Sequence, residues 1–280
     1  MDTPRAPSGP ELAALLKWHL DAGVDETLGE APVDRFAAPK TEARPPALPS
    51  VGAAPVTAAP APPKIPPPLP GLAPAGAAPS SAHIAQACKT LPELHAAIAA
   101  YDGCALKTYA TRTVVADGSL EARVMVIGEA PGEDEDRQGK PFVGVSGKLL
   151  DRMLAAIGLD RAVNTYITNI VFWRPPGNRK PTAEEIVQCM PFVQRQIELL
   201  DPALLLLVGG PAASTILANP QGITKLRGRW FEYESPGLSR PVPAMATFHP
   251  AYLLRSPQQK RLAWRDLLVF KQKLDSLPTP

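Results

Sequence analysis

The stretch GEAPGEDEDRQGKPFVG, residues 128–144, places Glu129 and then four consecutive acids, Glu133, Asp134, Glu135 and Asp136, directly after the apolar run Val124–Ile127. Carboxylates crowded at the end of a buried strand repel one another. They are useful where a positive charge develops or a water must be oriented. Two more stretches carry side chains suited to chemistry. TNIVFWRPPGNRKPT (168–182) holds Asn169, whose amide both donates and accepts, and the polar run Asn178, Arg179, Lys180. TFHPAYLLR (247–255) holds His249, the only histidine beyond residue 95, and ends in Arg255.

The elements around these stretches predict how they meet. ARVMVIGEAPG reads as a strand entering a turn, GKLLDRMLAAIGL as a helix ending at Gly158, and NTYITNIVFWRPP as a strand broken by Pro175 and Pro176. TAEEIVQCMPFVQRQIELL opens with Thr182 and Glu185 at the spacing of a capping box. PALLLLVGG is short and wholly apolar, the mark of a strand buried on both faces. PAASTILA reads as a helix, VPAMATFHP as a last strand and KRLAWRDLLVFKQKL as a closing amphipathic helix. Such alternation implies a parallel sheet with helices on both sides. Each polar cluster then follows a strand, and in an open parallel sheet those loops share the edge where ligands bind.

Composition bounds the rest. Proline supplies 35 of 280 residues, about two and a half times the usual ~5%, and it concentrates between about Ala37 and Ala82. That stretch has too little apolar surface to offset its ordering entropy and reads as a disordered linker of polyproline character. The expected organisation is an amphipathic helical segment over 1–36, with Leu12, Leu15, Leu16 and Leu20 at helical spacing, a linker over 37–82, and a folded domain over 83–280. The first segment is expected to dock a protein partner. No run reaches the roughly 18 apolar residues of a membrane span, and MDTPRAPSGP lacks the features of a signal peptide. Three cysteines, Cys88, Cys104 and Cys189, fit a reducing compartment, so a cytoplasmic monomer is expected. Between Lys225 and Arg265 eight basic residues face two acids, Glu232 and Glu234, a balance suited to a polyanion. A nucleotide hydrolase is a weak alternative, because the lysine and serine or threonine of a P-loop are missing after GEAPG and the acids would repel phosphates.

Together GEAPGEDED with GKPFVG, TNIVFWRPPGNRKPT with its helix, and HPAYLLR resemble, in order over nearly all of residues 101–272, the uracil-DNA glycosylase superfamily, closest to its bacterial and archaeal family 4. The resemblance implies a three-layer α/β/α sandwich around a central, mostly parallel four-stranded sheet. It implies an enzyme that flips uracil out of DNA and hydrolyses its N-glycosidic bond, the first step of base excision repair. A protein that binds uracil-DNA or abasic sites with little turnover is the alternative.

By the same resemblance Phe142 stacks on uracil and Asn169 donates to O4 while accepting from N3–H, with Gly128 and Ala130 beside the base. His249 donates to O2 as a neutral imidazole and stabilises the leaving anion. Leu253 and Leu254 form the wedge that fills the gap left by the flipped base, and Arg255 meets a phosphate with Asn178, Arg179 and Lys180. Other branches of the superfamily carry an aspartate where this chain has Ala130, so Glu129 and Glu135 are the candidate catalytic carboxylates, with their tasks unassigned. Glu133, Asp134 and Asp136 are expected to be solvated or to hold the loop. Family 4 proteins typically bind a 4Fe–4S cluster through four cysteines. Here those positions are Tyr101, Cys104, Trp173 and Cys189, so two thiolates are missing. A cluster generally needs four such ligands; none is expected, and aromatic packing by Tyr101 and Trp173 is expected to hold the loops instead.

Overall fold

The computed structural model describes residues 80–277. The N-terminal segment and almost all of the linker read from the sequence lie outside the described residues. A six-stranded sheet runs in the order β1-β3-β2-β4-β6-β5, formed by β1 (Ala116–Gly118), β2 (Val124–Gly128), β3 (Thr165–Asn169), β4 (Leu204–Val208), β5 (Trp230–Tyr233) and β6 (Val242–Thr247). The inner four strands pair in parallel, and β1 and β5 close the edges antiparallel. The expected parallel four-stranded core is therefore present, with one short strand added at each side.

Side chains alternate across the sheet with the two-residue period of a strand. Met125, Ile127, Leu205, Leu207, Ala244 and Ala246 enter one core, against α1 (Ser81–Ala87), α2 (Leu91–Ala100), α5 (Ala183–Leu200) and α6 (Gly210–Ile216). Val124, Val126, Leu204, Leu206, Val208 and Met245 enter the other, against α4 (Val145–Ala155) and α9 (Lys260–Ser276). Every residue of β4 is buried, which is why LLLLV shows no polar alternation. Both layers of helices are required to cover it, and the result is the three-layer sandwich.

Three short helices complete the ligand edge: α3 (Glu133–Gln138), α7 (Ile223–Leu226) and α8 (Pro250–Arg255). The capping box of α5 forms as the sequence predicts. Thr182 Oγ1 accepts from the Glu185 amide at 3.3 Å, and Glu185 returns a bond to the Thr182 amide at 2.7 Å.

Candidate active site

Parallel pairing sets Gly128 at the end of β2 directly beside Asn169 at the end of β3. His249, two residues past β6, caps α8 at the same edge. Between them lies a cavity of about 480 Å³ whose walls include Glu129, Phe142, Asn169, Lys180, His249 and Arg255. The three clusters read from the sequence do converge there.

Phe142 carries φ +53, a left-handed conformation that an ordinary side chain adopts only under constraint. Two features hold it. Gly147 lies against the Phe142 backbone, where a Cβ would collide with the carbonyl. Arg161 donates to Pro141 O at 3.0 Å and to Phe142 O at 2.8 Å while paired with Asp117 and Asp151. The Phe142 ring passes over Gly128, where any side chain would strike both the ring and Asn169 Oδ1. It faces the His249 ring at 5.6 Å between centroids, tilted by 32°. The glycines flanking Phe142 were a visible signal; Arg161, 19 residues on, gave none.

Asn169 is 1% exposed, and its Oδ1 has no hydrogen-bond partner. Leaving a buried carbonyl oxygen unpaired costs roughly 1–3 kcal/mol. In a cavity wall that cost reads as an acceptor kept vacant for a ligand.

His249 accepts the Ala251 amide at Nδ1, 3.1 Å away, so the proton of the neutral ring sits on Nε2. Burial, with Arg255 adding to it and Glu135 opposing, pushes its pKa down to about 4. The imidazole is thus a neutral donor at physiological pH.

The carboxylates divide by their partners. Glu135 is buried and fully engaged: Oε2 accepts from the Gly132 amide at 3.1 Å, and Oε1 accepts from Val143 and Gly144 at 2.9 Å each. Those three bonds tie α3 to the Phe142 turn, and Glu135 also borders the cavity. Asp136 also holds the loop, accepting from the Thr111 and Arg112 amides. Asp134 pairs with Arg137 and Glu133 with Arg174 at the surface. Glu129 lines the cavity, and its carboxylate has no hydrogen-bond partner among the described residues. Burial raises its pKa and Lys180 pulls it back.

Among the expected DNA contacts, Lys180 and Arg255 line the cavity. Arg179 does too, but it is forked onto Glu185 at 2.6 and 2.9 Å. Asn178, also left-handed at φ +56, accepts from Arg174 Nε at 2.8 Å. The leucine wedge needs a correction. Leu253 is 1% exposed and packs with Leu149, Phe248 and Ala263, whereas Leu254 is 38% exposed. Consecutive residues on a helix point about 100° apart, and here that turn carries Leu253 into the core and Leu254 out of it. Pro131, Ser146 and Ala251 also line the cavity; Pro131 and Ala251 sit within the GEAPG and HPAYLLR stretches and Ser146 two residues after GKPFVG, but none of the three carried a signal of its own.

Some way along the same layer is the corner of Tyr101, Cys104, Trp173 and Cys189, all buried. The Tyr101 hydroxyl donates to Gln188 Oε1 at 2.6 Å, and its ring meets Phe192 edge-on at 5.1 Å. A Cβ on Gly103 would collide with that ring, so Tyr101 folds over its own loop. Trp173 Nε1 donates to Thr113 Oγ1 at 3.0 Å. Cys104 and Cys189 act on each other's titration: the neighbouring thiol pulls Cys104 down to about 7 against the effect of burial, while Cys104 and burial push Cys189 up. Among the described residues no group of three or more His, Cys, Asp or Glu could hold a metal ion. No helix among them is long and apolar enough to cross a membrane.

Comparison with known proteins places this geometry. Residues 115–268 match the family model described as the uracil DNA glycosylase superfamily. A type-4 uracil-DNA glycosylase of Saccharolobus solfataricus is 38% identical over 180 residues, covering 62% of this chain and 82% of that protein. One from Thermotoga maritima is 40% identical over 167 residues, covering 59% and 84%. A DNA polymerase of Bacillus phage SP01 is 31% identical over 170 residues, 61% of this chain but 18% of that one.

Proposed function

The chain belongs to the uracil DNA glycosylase superfamily, and from that premise we infer that it is a uracil-DNA glycosylase, a hydrolase of N-glycosidic bonds that acts on DNA. One observation carries the reading: a buried amide oxygen without a partner, a neutral imidazole N–H and a fixed aromatic ring all border one cavity large enough for a base. Uracil swung out of the helix lies against Phe142. Asn169 Oδ1 accepts from N3–H and its amide nitrogen donates to O4, a pattern that cytosine reverses. As the C1′–N1 bond breaks, its electron pair passes to the base, and the charge that collects at O2 meets His249 Nε2–H. No proton transfer to the base is required.

The sugar left behind is cationic. Glu129, whose carboxylate is unpartnered among the described residues, stabilises it and orients the water that attacks C1′. Glu135 shapes the wall from its fixed place. Leu254 alone fills the gap in the stack, and Lys180 and Arg255 meet phosphates. Arg179, bound to Glu185, contributes positive potential more than a direct contact.

The residues at the thiol corner do not fit a 4Fe–4S cluster. Two thiols are available where four are needed, Tyr101 is a phenol already bonded to Gln188, and the two aromatic side chains occupy the loops that a cluster would join. No step of the reaction is routed through such a group. Residues 1–79 precede every residue assigned here, so they act as a tether and partner-docking arm. A chain beginning at Ser80, the cap of α1, should retain base release within about threefold.

The deciding experiment is release of free uracil from single- and double-stranded oligonucleotides carrying one uracil. Tight binding without release would instead mark a uracil-DNA or abasic-site binding protein.

A further inference from the structure

His249 must present Nε2–H at one point in space, yet among the described residues its ring makes one hydrogen bond, which Nδ1 accepts from the Ala251 amide. The two residues before it are held from another direction. Asp266, on α9 and 2% exposed, accepts from Thr247 Oγ1 at 2.9 Å. The same carboxylate takes both arms of Arg227, at 3.0 Å from Nε and 2.5 Å from the terminal nitrogen, and that nitrogen also donates to Leu262 O at 2.6 Å. The Arg227 guanidinium lies over the Phe248 ring, 5.1 Å from its centroid. Arg227 further bridges to Ala246, and Gly228 donates to Ala246 O at 3.0 Å. Gly228, at φ +68, sits where any Cβ would meet Asp266 Oδ1.

Gly209 donates to Thr247 O at 2.9 Å, and a Cβ placed on it would press on the His249 side chain, 3.2 Å from Cβ and 3.3 Å from Cδ2. Residues 246, 247 and 248 are therefore each gripped by the Arg227–Asp266 pair or its neighbour. None of these groups reaches the cavity.

We propose that Arg227 and Asp266 are positioning residues for the glycosylase reaction: a buried ion pair that clamps the Ala246–Phe248 segment and so fixes where His249 presents its N–H to the base. A buried pair is a poor source of stability, because desolvation offsets most of its attraction. Its worth here is geometric, and a small misplacement of a catalytic donor is expensive in rate. The inference rests on the glycosylase reading of the cavity.

The test replaces the pair with a neutral one, Arg227→Met with Asp266→Asn, which removes both charges and keeps an acceptor for Thr247. Single-turnover uracil release at saturating DNA should fall about 30-fold while affinity for DNA stays within about threefold. In a His249→Ala background the same double change should cost less than about threefold, because the clamp acts only through that ring. Undiminished cost in that background, or unchanged excision in the first, overturns the proposal. Should the neutral pair fail to fold, Arg227→Lys, which keeps the charge and loses the fork, reads the same coupling by the same criteria. Nitrogen NMR of the imidazole separates this proposal from the glycosylase reading. The native chain should show one tautomer with the proton on Nε2 and the clamp variant a mixture, whether or not uracil is released; an unaltered tautomer in the variant also overturns the clamp.

Discussion

The cavity at the sheet edge and the thiol corner began from the same kind of sequence signal, a set of polar positions spaced as in a family motif, and they have been treated in opposite ways. In the cavity an acceptor on Asn169 is left without a partner and a donor on His249 is left pointing into space. At the corner the volume is filled, the Tyr101 and Trp173 polar atoms have partners, and the two remaining thiols are buried. A site that reacts must hold polar atoms vacant at a cost in stability. A site that only holds loops together needs its space occupied, and aromatic rings do that as well as any other group.

That contrast breaks most visibly at Trp173. The side chain is 1% exposed and among the largest in the core, with its Nε1–H satisfied by Thr113. Trp173→Ala should lower unfolding free energy by about 3–5 kcal/mol, read by denaturant titration, while uracil release at a temperature where the variant is folded changes less than about threefold. Anaerobically purified chain should carry less than about one iron per molecule and lack charge-transfer absorption in the visible. Near-stoichiometric iron would erase the distinction between the two regions.

The reverse pattern is expected at Asn169. Asn169→Asp exchanges the donor for an anion facing O4, which should cost at least ~3 kcal/mol, more than a hundredfold in uracil excision. Cytosine presents an amino donor at that edge, so the Asp variant should gain a small cytosine activity. Asn169→Ala should lose uracil activity and gain nothing. Full uracil excision by the Asp variant would remove this residue from the base.

How far these regions could be read in advance differs for physical reasons. Val124–Gly128 and Leu204–Val208 were plain because a strand buried on both faces has no polar residues to confuse it. The edge strands Ala116–Gly118 and Trp230–Tyr233 were not read, being three and four residues long and mostly half-buried. Asn169 and His249 stood out because they lie at or just past a strand end, at the edge where ligands gather, and Phe142 because glycines flank it in GKPFVG. The role of Glu135 did not, since a carboxylate that binds local amides and one that faces a substrate look alike until the Phe142 turn closes on it. The spacing from Gly132 to Glu135 was a usable sign of a cap, whereas nothing in the adjacent pair Leu253 and Leu254 told which of them faces the core.

A subtler separation lies in pH. His249 has its folded pKa depressed to about 4 against an unfolded value near 6.5. Below about pH 6.5 the unfolded chain takes up this proton and the folded chain does not, so stability falls as pH drops from about 6.5 to about 4 and is unaffected by this group above that window. His249→Gln should flatten the fall. Uracil release, which needs the neutral ring, should show no inflection near pH 6.5. A histidine limb at that pH would mean the imidazole is charged in the free enzyme and that burial does not set its state.

The smallest expected effect belongs to the Tyr101 hydroxyl. Its ring does the filling, through Phe192 and the loop at Gly103, and the hydroxyl adds one bond to the half-buried Gln188. Tyr101→Phe keeps the ring and lets water reach Gln188, so the loss should be about 1 kcal/mol in stability and nothing measurable in excision rate. If the corner works by occupied volume, this change must be far milder than Trp173→Ala. A penalty for Tyr101→Phe as large as that of the tryptophan truncation would show that a specific polar contact holds these loops. The corner would then resemble the cavity, with a precise hydrogen bond at its centre, and the distinction between vacated and filled sites would fail at the place where it is sharpest.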